Sequence, residues 1–165
     1  MQKALAGASY EYYVCARLMQ YGLLAALVPK DVPWVDILVF DRERSIGSTV
    51  QVKGRASGPD KGWMLGKKHE TYKEARAFYA LVDFEPDHPV TYVVPVDVVA
   101  DHVTKAHRGW LAEPGRQGQQ RNDTDMRRLR PQATFAADYP DGWMEGYRES
   151  WHLLQASPGS LAGGD

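Results

Sequence analysis

The chain has 165 residues and one cysteine, Cys15, which excludes an internal disulfide and fits a reducing cytoplasm, the expected location. It has almost no net charge: 20 Lys and Arg stand against 21 Asp and Glu, for −1 at neutral pH. Any surface for a polyanion must therefore be local. No long apolar run is present; the longest, Leu23 to Val28, is far too short to span a membrane, so no membrane partner is expected. The start, M-Q-K-A-L-A-G-A-S-Y-E, lacks the apolar segment of a secretory leader. There is no internal repeat. A phosphate-cradling loop at Gly62 to Lys68 is excluded by spacing: three residues, not four, separate Gly62 from Gly66, and Lys68 follows Lys67 where Ser or Thr is needed. What is present is ordinary for a globular protein, 44% hydrophobic and 25% charged. One domain over residues 1–155 and a loose tail over 156–165 are expected.

Ser9 to Gly22 reads as a helix, with Val14, Leu18 and Tyr21 at helical spacing, Ser9 as N-cap and Gly22 as the stop. Glu11 precedes Val14 by three, Cys15 by four and Leu18 by seven. It falls on the apolar stripe, where a carboxylate needs a partner; a first-turn Glu favoured by the helix dipole is the alternative. Trp34 to Phe40 reads as a strand with Asp36 near its start, and Ile46 to Lys53 as the returning strand of an antiparallel hairpin. A turn centred near Glu43 and Arg44 makes Asp36 and Gln51 neighbours. In S-T-V-Q-V-K-G, Gln51 and Lys53 then share one strand face, opposite Val50 and Val52.

Residues 54–69 read as a loop, 70–76 as a helix, and 78–83 and 90–95 as strands. Asp83, Glu85, Asp87 and His88 read as a solvated turn rather than metal ligands. Asp97 caps a helix reaching about Trp110, in which His102 and His107 are spaced poorly for a shared metal. A polar connector spans 113–131. Trp143, Tyr147, Trp151 and Leu154 form the core stripe of a last helix. The string predicts an α/β or α+β sandwich with a mixed sheet.

The order of these residues resembles the PD-(D/E)xK nuclease superfamily, in its branch of Holliday-junction resolvases and homing endonucleases. G-A-S-Y-E (Gly7 to Glu11), V-P-W-V-D (Val32 to Asp36) and Q-V-K (Gln51 to Lys53) carry the likeness, over about residues 5–100. It departs in two places: Pro33 is not adjacent to Asp36, and Gln51 stands where Asp or Glu is usual. The resemblance implies a restriction-endonuclease-like core, a central mixed β-sheet flanked by helices, here with extra C-terminal helices. It implies a metal-dependent endodeoxyribonuclease, a homodimer acting on DNA, with Mg²⁺ as cofactor and Mn²⁺ as its substitute. Glu11, Asp36, Gln51 and Lys53 would be the catalytic set. Asp36, the Gln51 amide oxygen, the Val52 carbonyl and Glu11 would be metal ligands, and Lys53 would hold or deprotonate the attacking water. An inactive DNA-binding or protein-interaction module of the same fold is the alternative that Gln51 leaves open.

Local charge agrees with a DNA partner. Between Arg42 and Arg76 there are nine Lys or Arg against four acids. Arg55, Lys61, Lys67 and Lys68 follow the Q-V-K strand; Arg116, Arg121, Arg127 and Arg128 lie in the connector. These eight are the expected phosphate contacts. Trp63 is expected either on DNA or over the core.

Overall fold

The computed structural model describes residues 3–40, 47–55, 62–84, 88–132 and 134–155. The first helix, α1 (Lys3–Gln20), begins six residues before the expected Ser9. Ser9 is inside it, its hydroxyl donating to the Ala6 carbonyl at 2.8 Å. The helix stops where the sequence said. Gly22 adopts φ 78°, its N–H reaches the Met19 carbonyl at 3.0 Å, and the Leu23 N–H reaches Leu18 at 3.1 Å. That pair of bonds is a Schellman closure, which a residue with a Cβ disfavours.

Five strands form a mixed sheet in the order β1-β2-β3-β5-β6: β1 (Leu24–Leu27), β2 (Ile37–Phe40), β3 (Gly47–Arg55), β5 (Ala77–Asp83) and β6 (Val90–Pro95). The pairs are antiparallel except β3 with β5, which is parallel. The short apolar run at 23–28 is thus an edge strand. A second, two-stranded sheet pairs β4 (Trp63–Gly66) with β7 (Met126–Leu129), both from stretches whose composition reads as loop. Long α2 (Val96–Ala112) follows β6 directly.

Two cores lie on the two faces of the five-stranded sheet. Val14 and Leu18 of α1 pack with Val50, Val52, Ala80 and Val93 on one face, joined by Trp151 and Leu154. Val99 and Val103 of α2 pack with Tyr79, Leu81 and Val94 on the other, with Trp63, Leu65 and Leu129 of the small sheet. The alternation of β3 sorts this: Val50 and Val52 face α1, so Gln51 and Lys53 face the opposite layer.

Two expected helices are replaced by shorter turns. Over 70–76 there is no helix, only a 3-10 turn at Lys67–Glu70. E-T-Y-K-E-A-R has no apolar stripe to pack, and its aromatic, Tyr72, stacks on Trp34 with centroids 4.5 Å apart. The last helix is two 3-10 turns, Trp143–Tyr147 and Trp151–Leu154, broken at Glu149 with φ 49°. The Glu149 carboxylate accepts from the Thr91 N–H (2.7 Å), Trp151 Nε1 (2.9 Å) and Arg17 (2.9 Å). Its turn sends Trp151 to the α1 core, while Trp143 and Tyr147 border the α2 core.

Candidate functional site

The hairpin register places Ile37 opposite Val50, which centres the connection between residues 43 and 44, the turn position read from the sequence. Residues 41–46 themselves lie outside the described residues. Away from the turn, pairing of β2 with β3 ends at Ile37 and Val50, but β3 runs on to Arg55, paired only with β5 on its other side. The result is a notch in the sheet beside residues 52–55. Asp36 sits at its corner. Its N–H donates to the Val50 carbonyl at 2.9 Å, and its Oδ2 accepts the Val52 N–H at 2.7 Å. The side chain thus satisfies a backbone donor that a longer β2 would have taken. The alternation of backbone groups along a strand turns the Val52 carbonyl to this same open side.

Glu11 approaches the notch from α1. Tyr10, beside it in the chain, lies flat against Gly54; a Cβ there would sit 2.1 Å from the Tyr10 ring. Gly54 is therefore what lets the N-terminal half of α1 close on the end of β3. Glu11 is half-buried, and its carboxyl is pushed above the ordinary carboxylate range, first by burial and then by the charge of Asp36, against the pull of Lys30 and Lys53. Lys53 is pushed the other way: burial lowers its pKa, Asp36 opposes this, Lys68 adds to it, and Glu11 opposes it. Glu11, Asp36 and Lys53 thus lie within electrostatic reach of one another. Gln51 completes the group, and its amide oxygen is buried without a hydrogen-bond partner.

A hard cation fits this donor set. Two carboxylates, an unpartnered amide oxygen and a backbone carbonyl are oxygen ligands of the kind Mg²⁺ takes, with water filling the rest of its shell. A buried oxygen with no partner costs free energy unless something binds it. Among the described residues no three His, Cys, Asp or Glu side chains gather as a metal cluster, so any cation here depends on the neutral oxygens as well.

Behind the site is an aromatic layer with no signature in the sequence. Tyr79 is the β5 neighbour of Gln51, and its hydroxyl bonds the buried His69 at 2.5 Å. His69 is lowered to about 4, chiefly by burial and then by Lys53 and Lys68. Its ring meets Trp34 edge-on at 5.1 Å, and the Lys68 ammonium lies 4.7 Å from the Trp34 centroid. Trp34 holds φ 67°, a left-handed conformation that costs a bulky residue about 1–2 kcal/mol, two residues before Asp36.

The eight expected DNA contacts divide. Lys67 and Lys68 are exposed; Lys67 pairs with Asp123 at 2.9 Å. Arg116 is exposed and Arg121 and Arg128 half-exposed. Arg55 and Arg127 differ from expectation. Arg55 forms an ion pair with Asp83 and lies 4.6 Å from the Trp63 ring. Arg127 is 2% exposed and bound to Glu70 and Asp123. Both are committed to buried ion pairs, whose disruption would strand a charge. Lys61 lies outside the described residues. Trp63 is fully buried, which settles it as core. Asp83 is buried against Arg55, and residues 85–87 of the same turn lie outside the described residues. Among the described residues no helix is long and apolar enough to cross a membrane.

No protein-family model matches the chain, and no curated protein matches it. Among solved structures, a bacterial homing endonuclease, I-Ssp6803I, superposes with a TM-score of 0.55 and 19% sequence identity, over 93% of this chain and 91% of that one. The chain therefore has an endonuclease-like α/β core, similar in fold to that enzyme.

Proposed function

We propose that the protein is a metal-dependent endodeoxyribonuclease of the PD-(D/E)xK type. What supports this reading is the mutual electrostatic influence of Glu11, Asp36 and Lys53 beside the notch where β3 outruns β2, with Gln51 on β3 one position beyond its last pair with β2. The fold neighbour, a homing endonuclease, supports it. Phosphodiester hydrolysis needs charge neutralised at the phosphate and a nucleophilic water, and Mg²⁺ (or Mn²⁺) supplies both when bound.

The chain supplies the rest. Asp36, fixed by the Val52 N–H, would hold the cation together with the Gln51 and Val52 oxygens. Glu11 adds the second negative charge. Lys53, with its pKa lowered by burial, holds the attacking water and takes its proton. Lys68, exposed beside it on Trp34, meets the phosphate backbone. Lys67, Arg116, Arg121 and Arg128 extend that path, from which Arg55 and Arg127 are removed. Two copies of so small a core suit cleavage of both strands, so the active form is a homodimer.

The test is incubation with supercoiled plasmid and with branched DNA in Mg²⁺ or Mn²⁺, beside calorimetry of metal binding. Nicking that disappears in Lys53→Ala is the expected result. DNA binding without nicking assigns an inactive binding module, the reading that the missing carboxylate at 51 favours. Absence of both metal and DNA binding ends the nuclease reading.

A further inference from the structure

We propose that the cleft between α2 and β7 is a pocket for one nucleotide unit, its base on the Phe135 ring and its phosphate on arginines. The cleft encloses about 640 Å³, within the size range of small-ligand sites. None of Glu11, Asp36, Gln51 or Lys53 lines it. Trp110 and Phe135 form its apolar wall, and Arg121, Arg128 and Arg130 its cationic one; no Asp or Glu is among the described residues lining it.

The walls are built before any ligand arrives. The Phe135 backbone lies against Gly109, where a Cβ would meet the Phe135 carbonyl oxygen at 2.5 Å. The Arg121 guanidinium is held 4.8 Å from the Trp110 centroid and 5.5 Å from that of Phe135, and donates to the Trp110 carbonyl at 2.8 Å. Phe135 is nevertheless 50% exposed, so ring surface remains for a ligand. Arg130 Nε is buried with no hydrogen-bond partner.

Two simpler occupants fit less well. A purely apolar ligand would not need three guanidiniums that no ion pair to a described acid engages; the nearby Asp123 carboxylate is taken by His107, Lys67 and Arg127. A bare anion would not need the aromatic wall. A planar base carrying a phosphate uses both, because every base has a stackable face and Arg binds phosphate oxygens. The chemistry is shared by a free nucleotide and by an unpaired nucleotide in a DNA strand. In the second case the inference rests on the nuclease reading, and the substrate is DNA with an unpaired position away from the cut.

The experiment is fluorescence polarisation of a labelled pentathymidine strand in EDTA, with competition by thymidine 5′-monophosphate, thymidine and inorganic phosphate. Thymidine monophosphate should displace the strand better than thymidine or phosphate. Phe135→Ala should weaken strand binding about tenfold, and Phe135→Trp should restore it. Strand binding at least tenfold tighter than the mononucleotide assigns a strand; otherwise the ligand is a free nucleotide. The same titration on Asp36→Ala separates the two readings, since binding retained there stands whatever becomes of cleavage. The proposal is overturned by competition from phosphate equal to that from the mononucleotide, or by unchanged binding in Phe135→Ala. A Phe135→Ala protein that sediments as a smaller species than the parent overturns it too, because the cleft would then be a subunit contact.

Discussion

Asp36 Oδ2 accepts the backbone N–H of Val52 at 2.7 Å, so the side chain that ends one strand is tied to the middle residue of the Q-V-K motif on the next. The bond fixes the carboxylate without neutralising it. It also separates two roles that substitution can test independently.

Asp36→Asn keeps an acceptor for the Val52 N–H but loses the charge. It should fold with nearly the parent stability and lose cleavage by at least about 100-fold. Asp36→Ala should lose the same activity and, in addition, about 1 kcal/mol of stability from the stranded N–H. Urea melts and plasmid nicking read the two effects; an active Asp36→Asn would remove Asp36 from the catalytic set.

Lys53 makes opposite demands on stability and activity. Burial lowers its pKa, so the unfolded chain binds more protons between that lowered value and the ordinary 10.5. Stability from this group therefore rises with pH across that window. Lys53→Met should be more stable than the parent at neutral pH, show a flatter alkaline rise, and be inactive. A destabilised Lys53→Met would mean that the ammonium is held by attractions stronger than its burial.

Gln51 decides between enzyme and binding module. Gln51→Glu places a third carboxylate beside Asp36 and Glu11, which should tighten metal binding and lower the Mg²⁺ needed for cleavage. It should also push the Glu11 carboxyl further up. Gln51→Ala should lose most activity. Cleavage by Gln51→Glu alone, with none by the parent, would make the natural protein a binding module.

Gly54→Ala tests how Glu11 is placed. The new methyl would overlap the Tyr10 ring, forcing α1 away from β3. Overpacking of this kind costs about 1–3 kcal/mol, and cleavage should fall with it. Gly54→Ala combined with Tyr10→Ala removes the overlap and should recover part of the activity. Parent-like cleavage by the single variant would show that Glu11 does not need that contact.

His102 is fully buried, stacked 4.7 Å from Trp143, with neither ring nitrogen hydrogen-bonded, and burial lowers its pKa to about 4. The unfolded chain then binds the extra proton between about 6.5 and 4, so the stability this residue carries is complete above pH 6.5 and is lost as pH falls toward 4. His69, also near 4, acts in the same sense. His102→Leu should flatten the acid side of the stability profile by up to about 1.4 kcal/mol per pH unit. An unchanged slope in urea melts from pH 6.5 to 4.5 would show that His102 takes up its proton in the folded chain as readily as in the unfolded one.

By itself the sequence determined the elements whose signals are local. The Gly22 stop, the hairpin centre between residues 43 and 44, the face shared by Gln51 and Lys53, and the apolar strands 78–83 and 90–95 are set by backbone preference and by period-two alternation. These suffice to bring Asp36 to the Q-V-K strand. Other features needed the tertiary structure, because they depend on partners distant in the chain. Strand β4 exists because β7 pairs with it some sixty residues later, and neither has a strand pattern strong enough to stand alone. Arg55 and Arg127 look in sequence like any exposed cation; only folding puts Asp83 and Glu70 beside them and turns them inward. Glu11 reaches the notch only because Gly54 leaves room for Tyr10, a fit between helix and strand that no local pattern records. Charge and alternation are properties of a segment, whereas burial and pairing belong to the whole packed chain.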